Sequence, residues 1–406
     1  MIELDELLMQ LWPLAQQHEA LVETLPLKQV YGRVLAASQR SAIAVPQHDN
    51  SGMDGYAVRC ADFLQGLEFS VSQRIPAGQT PEPLEPGTVA RIFTGAPIPL
   101  GADAIVMQED TELLDDGRVR FKGLPKLNDW IRRAGEDIAR DQVVVEAGAV
   151  LNAVRVALLA SIGIAEVPVY RPLQAGVMVT GSELKNPGSP LEPGQIYNSN
   201  EFVWLGLLKQ LGCEVRSVGI VPDNLPDTVA ALKSLSDCDL IISSGGVSVG
   251  EEDHVKPAVE QVGELRAWKV AMKPGKPMAF GKIERAGRSP CWFFGLPGNP
   301  VSSALAFQLV VKPFADLLSG RPLQTADWRA RMVPVTAQFD WLRPDTRREE
   351  FLRVRVESGV AHLFANQSSG VLTSLDQSTG VVRLMAGQTV APGDVLPYVS
   401  YQELMK

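Results

Sequence analysis

The chain is poor in the residues that build metal centres and disulfide frameworks: four cysteines and four histidines in 406 residues. Cys60, Cys213, Cys238 and Cys291 are far apart and form no CxxC pair, which argues against a zinc site or a disulfide scaffold and for free thiols. No HExxH occurs among the histidines. There is no basic excess either, since 38 Lys and Arg face 47 Asp and Glu for a net charge of −9. Nonspecific nucleic-acid binding, which needs a broad basic surface, is therefore not expected. An anionic small ligand is still allowed, because a few lysines in one cleft are enough. The opening MIELDELLMQLWPLAQQ lacks the basic n-region of a secretory signal. No run of about 18 apolar residues suggests a membrane span. These absences make a cytoplasmic protein the expectation, with no membrane and no nucleic acid among its partners.

What is present suits a folded chain of several domains. Hydrophobic residues make up 45% and charged residues 21%, and the length predicts about two to four domains. Leu4, Leu7, Leu8, Leu11 and Leu14 fall at helical spacing, interrupted only by Pro13. From VPQHDNSGMDGYAV to about residue 140, short apolar runs alternate with Gly, Pro and Asp clusters, the pattern of a β-rich module. LNAVRVALLASIG then returns to helix. Helical segments on both sides of a β module predict a linker domain, 1–43 and 141–171, interrupted by an insertion, 44–140. After Pro172, strands and helices alternate (AGVMVTG, SNEFVWLGLLKQLG, CEVRSVGIVP, NLPDTVAALKSLS, DLIISSGG), which predicts a three-layer α/β domain with a mostly parallel sheet over 172–321. In such sheets the ligand sits at the carboxyl ends of the strands. Residues 322–406 shorten into β runs resembling a small barrel or sandwich. The fold class expected is multidomain α/β and β.

Several strings have the right chemistry for an anion site, and each also has a plainer structural reading. Asp49-Asn50-Ser51-Gly52-Met53-Asp54-Gly55 and Arg91-Ile92-Phe93-Thr94-Gly95 read equally as tight turns, and Gly135-Glu136-Asp137 as a solvated loop. The strand running into Gly245, Gly246 and Ser248 offers backbone N–H groups and hydroxyls to an oxyanion. Glu183, Asp223 and Asp253 follow the ends of separate strands, where carboxylates converge and suit Mg2+; singly, each reads as a helix-terminal acid. Lys269, Lys273 and Lys276 lie in a loop stiffened by two prolines and a glycine, unless they are merely solubilising. Pro297 and Pro300 flank Gly298-Asn299, with Pro300 at the first helical position and Asn299 at the N-cap. No Ser–His–Asp or Cys–His set points to covalent catalysis.

In order, DNSGMDGYAV, RIFTGAP, AIVMQED, GEDI, VTGSEL, ISSGGVSVGEED, KPGKPMAFG and GLPGNPVS resemble the motifs of the molybdopterin molybdenumtransferases, the family that includes the bacterial enzyme and the E domains of gephyrin and its plant relative. The motifs run from residue 46 to 303, and the flanks look like the family's linker and C-terminal β domain. The resemblance implies an elongated four-domain homodimer whose α/β domain is of the molybdopterin-binding type. It implies molybdenum cofactor biosynthesis: Mg2+-dependent insertion of molybdate into adenylylated molybdopterin, with release of AMP and the cofactor. It also implies a molybdopterin adenylyltransferase and molybdoenzyme maturation proteins as partners. Carried over by motif, the site residues are Asp54, Thr94, Asp137, Glu183, Asp223, Asp253, Ser248, Lys269, Lys273, Lys276, Pro297 and Pro300, with Arg348 and Ser369 from the tail. Many members have an acid where this chain has Ser182, which reduces the negative charge beside Glu183. The alternatives are a molybdopterin adenylyltransferase, on a similar α/β domain, and a non-enzymatic scaffold of the gephyrin type. The full-length match and the retained lysines and acids speak against both.

Overall fold

The computed structural model describes residues 1–244, 254–275 and 277–406. The alternation after Pro172 folds into a six-stranded sheet in the order Glu214–Val221, Gln174–Thr180, Leu240–Ser244, Cys291–Leu296, Pro277–Ile283, Glu264–Lys269. The first four strands are parallel and the last two pair antiparallel. Every residue of Leu240–Ser244 and Cys291–Leu296 is buried, as a sheet covered on both faces requires. One face packs against Leu225–Leu235 and Val255–Val262. The other packs against Asn200–Gln210, the helix beginning at Pro300 and the opening helix Leu4–Gln16.

That last contact differs from the expected partition. The opening helix buries Leu4, Leu7, Leu8, Leu11 and Ala15, one stripe at helical spacing, in the core of the sheet domain. The linker core instead gathers Val30, Leu35, Val145, Leu151, Leu159, Val167 and Val169 from the two flanks of the insertion. It is also less helical than the periodicity suggests. Val22–Pro26 pairs with Glu166–Tyr170 and Gln39–Arg40 with Val143–Val145, beside the single helix Ala153–Ser161.

Pro300–Leu318 is a continuous helix with a π turn at Phe307–Val311. By length and composition alone it passes as a membrane span, yet it lies wholly inside the protein. Its two charges pair: Lys312 Nζ lies 2.6 Å from Asp316 Oδ2, and Arg321 takes the other oxygen at 3.0 Å. Pairing of this kind offsets the desolvation cost of burying charge.

The insertion forms its own six-stranded sheet around Gly55–Val58, Thr88–Ile92 and Glu68–Ile75, with two small apolar cores. The tail closes into a barrel: Glu349–Glu357, Val360–Leu363, Val333–Ala337, Val395–Ser400 and Gly380–Leu384, which returns to pair with Glu349–Glu357. Met272–Lys273, leaving the sheet domain, adds to this barrel by pairing in parallel with Glu349 and Glu350. The lysine loop therefore hangs between two domains.

Candidate functional site

The expected site residues form two groups on different bodies. In the insertion, the DNSGMDG segment is clamped between two neighbours. Ser51 N donates to Ala96 O and Gly95 N to Ser51 O, while Asn50–Ser51 pairs with Ile131–Arg132. Gly55 has no substitute, because a Cβ there would meet Val106 O at 1.9 Å. Gly95 turns back with φ +82°, the left-handed conformation that favours glycine. This turn brings the Thr94 N–H and hydroxyl onto one carboxylate oxygen of Asp54, at 2.7 and 2.8 Å. Those two donors hold the Asp54 carboxyl below its usual range. Asp137 lines a cleft of about 430 Å3 with Asn50, Arg132 and Glu136. Beside it, Asp49 accepts from Arg133 and from Ala134 N.

In the sheet domain, the ends of two parallel strands are tied together. Thr180 N donates to Ser244 Oγ at 3.0 Å and Thr180 Oγ1 to Ser244 O at 2.9 Å. One strand further out, the Asp223 carboxylate accepts from Ser182 N at 2.6 Å, one residue before Glu183 in the chain. Gly245, Gly246, Ser248, Asp253 and Lys276 lie outside the described residues. Among those described, no three His, Cys, Asp or Glu residues gather as a metal cluster. Lys269 is exposed at the end of its strand, paired with Pro277 through the backbone.

The carboxyl end of Cys291–Leu296 leads through buried Pro297 to the helix at Pro300. Asn299 does occupy the N-cap with extended dihedrals, but its side chain makes no capping bond. Ser369 supplies the acceptor instead: its carbonyl oxygen takes Val301 N at 3.0 Å. Asn200 Nδ2 donates to Gly298 O at 2.7 Å, pinning the Pro297-Gly298 bend.

Between the lysine loop and the barrel lies a cavity of about 340 Å3, lined by Lys273, Pro274, Trp341, Glu350, Arg353, Gln367 and Ser368. Lys273 Nζ contacts Glu350 Oε1 at 2.8 Å. Arg353 is 1% exposed. Its guanidinium reaches only neutral acceptors, Ser368 O at 3.1 Å and Ser374 Oγ at 3.3 Å, and no carboxylate among the described residues pairs with it. Burial pulls its pKa below the ordinary arginine value. Arg348, the arginine singled out from RREEFLRV, lies outside this cavity lining and is bound to Asp345 instead, with Nε 2.9 Å from the carboxylate. Sequence reasoning missed Arg353. The available signal was an arginine flanked by Leu352 and Val354 in the strand Glu349–Glu357.

Size alone would mislead. A larger cavity, about 700 Å3, lies between the opening helix and residues 264–292, at the amino end of Cys291–Leu296. The site-bearing loops are at the opposite, carboxyl end, where ligands of such sheets bind.

Known proteins match along the whole length. Residues 2–163 match the MoeA N-terminal region (domain I and II), 176–316 a probable molybdopterin binding domain, and 334–401 the MoeA C-terminal region (domain IV). The molybdopterin molybdenumtransferase of Haemophilus influenzae is 44% identical over 380 residues, covering 91% of this chain and 92% of the relative. The chain belongs to the molybdopterin molybdenumtransferase family. The family protein of Bacillus subtilis is 33% identical across 95% of the chain and 89% of its own length. Among solved structures, the molybdopterin biosynthesis MoeA protein of Pyrococcus horikoshii superposes with a TM-score of 0.79 at 28% identity, covering 98% of this chain and 99% of that one.

Proposed function

We infer that this molybdopterin molybdenumtransferase family member inserts molybdenum into a molybdopterin substrate in the cytoplasm, using molybdate and releasing AMP from an adenylylated pterin. The observation that carries this reading is the cavity between the lysine loop and the barrel. A buried guanidinium without a counter-charge is costly. A tetrahedral dianion entering the cavity would supply the missing charge, with Lys273 and Arg353 as cationic donors and the Ser368 hydroxyl as a neutral one. Fixed donors of this kind favour the charge on a transferring oxyanion without reorganising around it.

The pterin and its phosphates fall to the neighbouring strand ends. Glu183 and Asp223 are hard oxygen donors, and Mg2+ takes one or two carboxylates together with water and phosphate oxygens. They fit that ion, with Asp253 as the expected third acid, and bound Mg2+ would polarise the phosphoanhydride as a Lewis acid. Asp223 is already oriented for this by the Ser182 N–H. The Asp54–Thr94 pair is on the insertion, and among the described residues no hydrogen bond or ion pair ties residues 44–140 to residues 172–406. A homodimer in which the insertion of one subunit completes the cleft of the other accommodates both groups, and C2 pairing is the commonest assembly. Calorimetric titration with molybdate tests the anion assignment. Binding weakened at least about tenfold in both Lys273→Met and Arg353→Met is expected, and wild-type affinity in both would reject it.

A further inference from the structure

We propose that Glu350, a residue of the barrel, is a positioning residue that fixes the Lys273 ammonium at the wall of the anion cavity. The inference rests on the reading of Lys273 as an anion ligand and adds the group through which that lysine is held. Glu350 is 1% exposed, and both its oxygens are occupied. Oε1 accepts from Lys273 Nζ at 2.8 Å, while Oε2 accepts from Trp341 Nε1 at 2.8 Å and from Asp345 N at 2.9 Å. The carboxylate is therefore locked on one side by two barrel donors and presents its other oxygen to the loop. Its backbone is fixed as well, because Met272–Lys273 pairs with Glu349–Glu350 and Glu349 N donates to Ala271 O at 2.8 Å.

Lys273 is in a different situation. Its side chain is 42% exposed, and a lysine on a flexible four-carbon stem does not hold one rotamer unaided. Glu350 uses one of its three N–H donors and leaves two for a ligand. An acid in an anion pocket is otherwise unfavourable. Here its charge is spent on Lys273 and its second oxygen is capped by neutral donors, so it orients the cation without competing for the dianion. By this arrangement the barrel sets the geometry of a loop that belongs to the sheet domain. Trp341 is part of the same device, since it anchors the anchoring carboxylate.

A double-mutant cycle read by calorimetric molybdate binding on the full-length protein tests this. Glu350→Gln keeps the shape but offers one oxygen, which the two barrel donors claim, turning an amide N–H2 toward Lys273. It is expected to weaken molybdate binding about tenfold, the scale of one charge-assisted hydrogen bond. Lys273→Met should weaken it at least as much, and the double variant no more than Lys273→Met alone. Effects that multiply in the double variant would overturn the proposal, because Glu350 would then act independently of Lys273. An unchanged affinity in Glu350→Gln would also overturn it. Wild-type affinity in Lys273→Met would instead reject the anion-ligand reading itself, and the positioning role with it. Should Glu350→Gln fail to fold, Trp341→Phe removes one anchor and keeps the ring. Weakened binding in it that vanishes on a Lys273→Met background supports the proposal, and unaltered binding overturns it.

Discussion

Arg353→Met separates a residue kept for binding from one kept for stability. The methionine fills most of the space of the arginine stem and removes the charge. Two hydrogen bonds disappear, to Ser368 O and Ser374 Oγ. Each contributes about 1 kcal/mol net, and leaving their acceptors unpaired costs about as much again. Against this stands relief from holding a charge that is 1% exposed and has no acidic partner, and replacing buried charge by apolar volume is often neutral or favourable by about 1–4 kcal/mol. The two sides nearly cancel, so the expected stability change is within about 2 kcal/mol. Binding has no such offset. Losing a charged donor to an oxyanion costs about 1.5–3 kcal/mol, or about 10- to 150-fold in Kd. The assay is urea unfolding alongside calorimetric titration with molybdate. A loss of more than about 4 kcal/mol in stability, with molybdate affinity retained, would refute the reasoning and make Arg353 a structural residue.

Three further outcomes follow from the same geometry. Thr94→Val removes one of two donors to Asp54, so the Asp54 pKa should rise toward its ordinary value in carboxyl NMR. Because the folded carboxyl titrates below the unfolded one, its stabilising effect is present above the unfolded pKa and is lost as pH falls through the folded pKa; an unmoved or lower value in the variant would show that the Thr94 hydroxyl does not contribute to it. Burial pushes the Cys60 and Cys213 thiols up to about 12 and raises Cys238 and Cys291 as well, so iodoacetamide at pH 8 should label all four only after unfolding; rapid labelling of the native protein would contradict this. Mixing Asp54→Ala with Asp223→Ala subunits, each inactive alone, should restore about half of the wild-type activity per heterodimer if clefts are shared; no recovery, with heterodimers confirmed by a mass tag, would place both residues in one subunit's site.

The layers of this molecule were legible wherever periodicity alone decides structure. The runs DLIISS and CWFFGL, short, apolar and bounded by turn residues, read as interior strands and are, and the tail's short apolar runs close a barrel. Packing partners were less legible. The leucine stripe of Leu4–Gln16 predicts a helix, but nothing in it says that the apolar face meets the sheet domain instead of the linker. The apolar helix at Pro300 hides two charges, which pair only through helical geometry and a contact with Arg321. Local turn chemistry exposed the Asp54–Thr94 pairing once the turn existed, although the partners are 40 residues apart. Glu350 was harder, because its significance depends on which face of the strand meets Lys273, and that face is decided by a pairing between two domains; Arg353, three residues on, lies on the opposite face, and its significance shows only in its burial without a carboxylate partner among the described residues. Arg348 and Arg353 share one short segment, and only the fold separates the arginine bound to Asp345 from the one in the cavity.

The most direct test of the account follows AMP release. The purified protein is loaded with adenylylated molybdopterin, and AMP is measured as molybdate and Mg2+ are added together and singly. The account predicts that AMP appears with both present, in step with pterin-bound molybdenum, and that Lys273→Met and Arg353→Met shift the molybdate dependence to higher concentration. AMP release that ignores molybdate, or molybdenum insertion that leaves the adenylyl group in place, would contradict it.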